Sequence, residues 1–365
     1  MTKTFLVADI GGTNTNIALA LHDGRHIDIV HKQRYSTRGE PSLPAVVEKF
    51  LQSAKSAGRD TRIEFCCISG AGPVDRDHTI RMTNAPWIIS AEELQTLLGV
   101  PVRLINDFTA LSYAVTLIDY RDTEAVRPLP HADGSLPAPS HDGMMLVLGA
   151  GTGLGVGFVN RRGGQTVAFP SEGGHSELPC FDGLSRAFHE WLSARFGYPP
   201  GAELAVSGQG IANIFEFLAS NGETAMRFAH EYGMDQSLLK AGPGEHTQSI
   251  LSMAREEWPA RIAQGRVFDP WCALSMELFV RLYAFKAANL AAIFLPEGGV
   301  WLAGGISSKN EAFLLEDGRF MKWFERNYAP HIRAFLAECP VCIVRNYDIS
   351  LIGAAEAAWQ FSERL

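Results

Sequence analysis

The chain has 365 residues, 46% of them hydrophobic and 20% charged, with a formal net charge of −8. That length exceeds what one hydrophobic core usually fills and predicts two lobes around a cleft, and the composition excludes a disordered, collagen-like or disulfide-stapled chain. The acidic balance gives no basic footprint, which argues against nucleic acid or an anionic membrane as partner.

Thr4 to Asp9 reads as an apolar strand, Gly11-Gly12-Thr13-Asn14 as a tight turn, and Ile17 to Leu21 as a returning strand. The apolar stretch Phe5 to Ala8 is too short for a signal-peptide core, so a cytoplasmic location is expected. Leu43 to Ala57 has helical spacing, Ile63 to Ser69 reads as a buried strand, and Ala91 to Leu98 as a helix capped by Ser90. Val102 to Ile105 forms a short strand that runs into Asn106-Asp107. In open α/β sheets, ligands collect at such carboxyl ends of strands. Arg127 to Gly143, rich in Pro, Gly, Ser and His, reads as an exposed loop.

Met144 to Leu148 then enters Gly149-Ala150-Gly151-Thr152-Gly153-Leu154-Gly155, and Val156 to Val159 leaves it. This repeats the plan of the first unit and points to two related lobes. Helices follow over Leu184 to Arg195, Gly210 to Ala219 and Ala273 to Leu295. The last contains Glu277, Arg281, Lys286 and Asn289, costly in lipid, and so predicts a partly buried helix and no membrane span. Val300 to Ala303 is a strand entering Gly304-Gly305, and Ala354 to Phe361 a final helix packing back on the first lobe. The six cysteines are scattered and read as reduced thiols; Cys339 and Cys342 have CxxC spacing but lack a second pair.

The turn at Asp9-Ile10-Gly11-Gly12-Thr13-Asn14 gathers bare backbone N–H groups and a hydroxyl, as close approach of a polyphosphate requires, and Asp9 is placed to hold a hydrated Mg²⁺. Many glycine hairpins merely turn the chain; the second turn, Gly149 to Gly155, strengthens the phosphate reading. Neither turn leads into a helix, which excludes a P-loop or dinucleotide fingerprint. Asn106-Asp107 before an apolar helix reads, on its own, first as a helix cap.

Asp9 to Asn14, Ile105-Asn-Asp-Phe-Thr-Ala110, Gly149 to Gly155, Glu172-Gly-Gly-His175 and Leu302-Ala-Gly-Gly-Ile306, in this order, resemble the bacterial-type ATP-dependent glucokinases nearly end to end. The resemblance implies an α/β, two-lobed actin-like ATPase (ribonuclease H-like) fold, each lobe a mixed five-stranded sheet with helices and the active site in the cleft. It implies a small lobe of residues 1–112 plus 346–365 and a large lobe of residues 113–345. It further implies transfer of the γ-phosphoryl group of ATP to the 6-hydroxyl of glucose, with Asp107 as general base and Mg²⁺ as cofactor.

By the same resemblance, Gly11, Gly12, Thr13 and Asn14 form the first phosphate loop and Gly151, Thr152 and Gly153 the second, with Gly208, Gly304 and Gly305 near the nucleotide. Asn106, Asp107, Glu172, His175 and Glu203 fall at sugar-binding positions, with Glu177 as an alternative to Glu203. Met82 to Trp87 matches a segment near the sugar. A homodimer is the family expectation. Two departures stand out: Asn16 replaces an Arg common in relatives, and residues 221–267 exceed the compact family pattern. Alternatives are a kinase for another hexose or amino sugar of the related repressor and kinase family, or an actin-like ATPase or sugar-sensing regulator. The first lacks its cysteine-rich zinc motif here, with only Cys180 nearby; a repressor has no room for a helix-turn-helix before Asp9.

Overall fold

In the computed structural model, the structure describes residues 2–82, 85, 87–240, 242–345 and 349–364. Two mixed sheets organise it. The first is built from β1 (Lys3–Ile10), β2 (Asn14–His22), β3 (Ile27–Ser36), β4 (Phe65–Gly70) and, beyond the small ribbon of β5 (Thr79–Arg81) and β6 (Ile88–Ser90), β7 (Val102–Asn106). Its order is β3-β2-β1-β4-β7, with β1–β2 and β2–β3 antiparallel and β1–β4 and β4–β7 parallel. The second comprises β8 (Val126–Pro128), β9 (Gly143–Ala150), β10 (Leu154–Arg162), β11 (Gln165–Phe169), β12 (Val300–Ala303) and β13 (Val341–Val344), in the order β11-β10-β9-β12-β13-β8. Its first five strands repeat the order and polarity of the first sheet, as the paired glycine turns suggest.

Two expectations need correcting. The second sheet has six strands, not five, because β8 adds antiparallel to β13 at its edge. That strand also takes the start of the segment expected to be an exposed loop, where Leu129 and His131 are buried. The ring of His131 lies 2.8 Å from Glu325 and 3.0 Å from the carbonyl of Cys339, and these two bonds satisfy an otherwise costly buried imidazole.

One face of the first sheet is covered by helix Leu43–Ser56, which starts at the Ser42 cap and turns Leu43, Val46, Val47, Phe50 and Ala54 inward at helical spacing. The other face, bearing Phe5, Val7, Ala18 and Ala20, meets the terminal helix Ser350–Ser362. That helix presents Gly353, Ala354, Ala357 and Ala358, small enough to let it cross helix Asp107–Val115 closely; a β-carbon at Gly353 would overlap the carbonyl oxygen of Ala110. The last helix thus braces the helix that begins at Asp107. A lobe boundary after residue 112 falls inside that helix, and its other end at 346 lies outside the described residues.

The second sheet is backed by the long helix Pro270–Phe294, capped by Asp269 and buried for most of its length. Its charged residues are internally matched: Arg281 donates to Glu277 at 3.0 Å and lies between the rings of Tyr232 and Trp323. Among the described residues, no helix is long and apolar enough to cross a membrane. Residues 222–265, unexplained by the family pattern, fold into helices Gly222–Ala229, Glu245–Ser252 and Trp258–Gly265 that join this core. All six cysteines are free, and burial pushes both the Cys339 and Cys342 thiols up to about 12.

Candidate active site

The first glycine turn joins β1 to β2. Gly11 N–H donates to the Asn14 carbonyl at 2.9 Å, while the Thr37 hydroxyl donates to the Gly11 carbonyl at 2.8 Å and Thr37 N–H to the Thr13 carbonyl at 2.9 Å. The turn is therefore fixed from within and from the end of β3. Gly12 and Thr13, at its tip, have no acceptor for their N–H groups among the described residues. Two residues before the turn, Asp9 accepts hydroxyl bonds from Ser69 at 3.1 Å and from Ser350 at 2.8 Å. Burial raises its pKa, with Ser350, Ser69 and the charge of Lys32 opposing. Asn16 stands beside Asp9 in register, with Arg34 opposite it on β3.

Asp107 opens the helix that follows β7. Asn106 caps it: its Oδ1 accepts the Phe108 N–H at 2.8 Å, and its Nδ2 donates to the Gly72 carbonyl at 3.1 Å. Asp107 Oδ1 shares that Phe108 N–H at 2.9 Å. Burial pushes the Asp107 carboxyl up to about 6, and the nearby charge of Asp9 adds to the effect against the Phe108 hydrogen bond. Both the capping role and an acid of shifted basicity are therefore present at the one strand end.

The second turn joins β9 to β10 and packs directly on this helix. β-Carbons at Gly149 and Gly155 would both collide with the Phe108 ring, so glycine at these positions lets the two lobes meet next to Asp107. Gly151 N–H closes the turn onto Gly153 O at 2.9 Å, and Gly208 N–H donates to Gly151 O at 2.8 Å. Thr152 and Gly153 have N–H groups without an acceptor among the described residues. Gly304 lies on the same turn from the other side, so close that a side chain would overlap the Ala150 carbonyl, and Gly305 begins the helix Gly305–Lys309. The 222–265 segment reaches this rim through Pro259, next to Gly208.

Glu203 accepts the Leu154 N–H through Oε2 at 2.9 Å, which sets its carboxylate against Gly153. Leu154 is also where the Glu172–His175 segment docks, since Gly174 packs against the Leu154 carbonyl. Glu172 and His175 are 3.7 Å apart with side chains 64% and 65% exposed, and among the described residues neither hydrogen-bonds Asn106, Asp107 or Glu203. Glu177 is exposed and pairs with Gly201 through its backbone. Trp87 is buried in the first sheet's core and donates to the Glu40 carbonyl at 3.2 Å; Thr83, Asn84 and Pro86 of its segment lie outside the described residues.

The structure thus gathers Asp107, the second turn, Gly208, Gly304 and Glu203 around Leu154 and Phe108, and couples Asp9 to Asp107 by charge. Ser69, Ser350, Thr37 and Phe108 were not expected from sequence. Ser69, at the end of β4 and in register with Asp9, had a signal in its strand-end position; Ser350 had none.

Two mixed sheets of matching strand order, each with a glycine turn between its first two strands in chain order of the repeat, define the actin-like ATPase fold. A crystal structure of a glucokinase from an Antarctic psychrotroph has this fold, with a TM-score of 0.76 at 24% identity over 98% of this chain and 99% of that one. A ROK family glucokinase from Streptomyces griseus, solved with glucose and AMPPNP, also shares it, with a TM-score of 0.56 at 20% identity over 98% and 99%. The sequence model of the family "Glucokinase" matches residues 6–361, and a glucokinase of Synechocystis sp. is 33% identical over 99% of both chains. Another, from Nostoc punctiforme, is 30% identical over 97% of this chain and 98% of its own. The chain belongs to the glucokinase family.

Proposed function

We propose that the chain transfers the γ-phosphoryl group of ATP to the 6-hydroxyl of glucose, giving glucose 6-phosphate and ADP, with Asp107 as general base. The observation that carries this reading is a buried carboxyl raised to about 6, at the end of β7 and beside the second glycine turn. A sugar hydroxyl is a poor nucleophile near neutral pH, and a base of such basicity orients it and accepts its proton. The O6–phosphorus bond forms as the bond from phosphorus to the bridging β-oxygen breaks; the proton passes to Asp107 and ADP carries the leaving electron pair.

The glycine turns divide the labour. Gly11, Gly151 and Gly208 spend their N–H groups on shaping the turns, so Gly12, Thr13, Thr152 and Gly153 are the donors left for phosphate oxygens. Gly304 and Gly305 flank the nucleotide's other end. In the sugar subsite, Asn106 keeps one lone pair beyond its cap while its amide serves Gly72 and Asp107, and Glu203 keeps Oε1 free of Leu154. Glu172 and His175, exposed in this structure, supply further hydroxyl ligands when sugar is bound. Carboxylates and amides that pair with each hydroxyl discriminate against sugars that leave them unpaired.

The site suits Mg²⁺ held mainly by phosphates and water. Among the described residues no group of three or more His, Cys, Asp or Glu side chains is clustered as for a metal, yet Asp9 is a buried acid whose pKa burial raises, and a nearby cation would oppose that shift. Asp9 would hold the ion through water, and when bound it neutralises charge on the phosphates. The same reading carries entry of glucose into glycolysis, a cytoplasmic location and a homodimer.

A coupled assay of ADP release over glucose, fructose, mannose, glucosamine and N-acetylmannosamine tests it: glucose should give the highest kcat/KM. Asp107→Asn should keep sugar binding and lose most of kcat. Near-normal turnover by that variant would remove Asp107 as the base.

A further inference from the structure

Lys286 stands in the middle of the helix Pro270–Phe294, 4% exposed, between segments that are otherwise apolar. Burying an ammonium group is costly unless its protons are taken up, and an apolar side chain would suit the helix better for packing alone. Two of its N–H donors go to adjacent residues of one segment. Nζ donates to the Ser176 hydroxyl and, at 3.5 Å, to the Glu177 carbonyl. The Ser176 hydroxyl, receiving that bond, gives its own proton to the Gly173 carbonyl at 2.7 Å. The Ser176 carbonyl accepts the Ala202 N–H at 2.8 Å, and Glu177 bridges to Gly201. One ammonium therefore sits at the joint between the strip carrying Glu172 and His175 and the strip carrying Glu203.

We propose that Lys286 is a positioning residue of the sugar subsite, acting through Ser176 to hold the 172–177 and 201–203 segments in one arrangement. The inference rests on the reading of those segments as sugar ligands. It adds a residue that touches no substrate but fixes where three ligands stand. Burial lowers the Lys286 pKa, and the Glu177 charge opposes that shift. The side chains of Glu172 and His175 are exposed, so their positions depend on how their segment is anchored: by the docking of Gly174 on Leu154, by the backbone bonds to Gly201 and Ala202, and by this relay.

The test compares wild type, Lys286→Met, Ser176→Ala and the double variant in steady-state kinetics with glucose and ATP varied separately. Methionine keeps the length and apolar stem, so thermal stability should hold or rise. KM for glucose should increase about tenfold in each single variant, with KM for ATP unchanged, and the double variant should be no worse than either single one because both remove one relay. A purely structural lysine would instead lower the melting temperature and move both KM values together. Glucose KM within twofold of wild type in both single variants, or fully additive effects, overturns the proposal. Should Lys286→Met fail to fold, Ser176→Ala, on the surface, decides alone. If wild type turns over glucose and the variants match it, only this inference falls; if wild type turns over no sugar, the functional reading falls and takes this inference with it.

Discussion

Lowering pH should silence the reaction in a way that reports Asp107. Its carboxyl is raised from 3.8 to about 6, chiefly by burial. A general base acts only when ionised, so kcat/KM should climb with pH through about 6 and level off above. One pH unit below that midpoint about a tenth of the carboxyls are ionised, so at pH 5 kcat/KM should fall to about a tenth of its plateau, and a further tenfold per unit below. Stability moves the opposite way. Because the folded state holds the proton more tightly than the unfolded chain, the stability contributed by this carboxyl is complete below about 3.8 and is lost as pH rises through about 6. Asp107→Asn abolishes that loss, so the variant should be more stable than wild type above pH 6 while nearly inactive, and equally stable at acid pH. The assay is glucose-dependent ADP release at saturating Mg²⁺ across the range, beside urea melts of both proteins. A flat profile down to pH 5, or an Asn variant less stable at pH 8, would refute the assignment of a buried, shifted base.

Other outcomes follow from local geometry. Gly174→Ala places a β-carbon into the Leu154 carbonyl oxygen and should displace the Glu172–His175 strip, raising glucose KM with little change in KM for ATP and costing about 1–3 kcal/mol in a urea melt. Glu356→Ala leaves the buried His22 without its 3.0 Å partner under the stacked Trp359 and strips Gln360 of a 2.8 Å acceptor. That loss, far from the cleft, should lower stability by about 1–3 kcal/mol in the same melt with kcat/KM retained.

Much of this plan was legible because the strands that carry the site are apolar runs ending in glycine. β1 and β9 are such runs, and Asn106-Asp107 announces itself by standing after β7. Strand β3 was invisible for the opposite reason. It is an edge strand whose residues alternate between half-buried and exposed, with His31, Lys32, Gln33 and Arg34 in place of an apolar face, and it ends at the Thr37 that fixes the first turn. β8, also an edge strand, is three residues long and was read as loop for lack of any periodicity. The partners of the acids were hidden by distance along the chain: Ser350 reaches Asp9 across 341 positions and Lys286 reaches Ser176 across 110. No spacing rule joins such residues; only closure of the sheets and the crossing of the terminal helix brings them together.

Transfer of the phosphoryl group to the sugar is observed directly by phosphorus NMR of a reaction with ATP, Mg²⁺ and glucose. A new phosphomonoester resonance, split by the two protons on C6, should grow in step with ADP and be absent without sugar. Inorganic phosphate as the main product, or ATP unchanged in the presence of glucose, would contradict it.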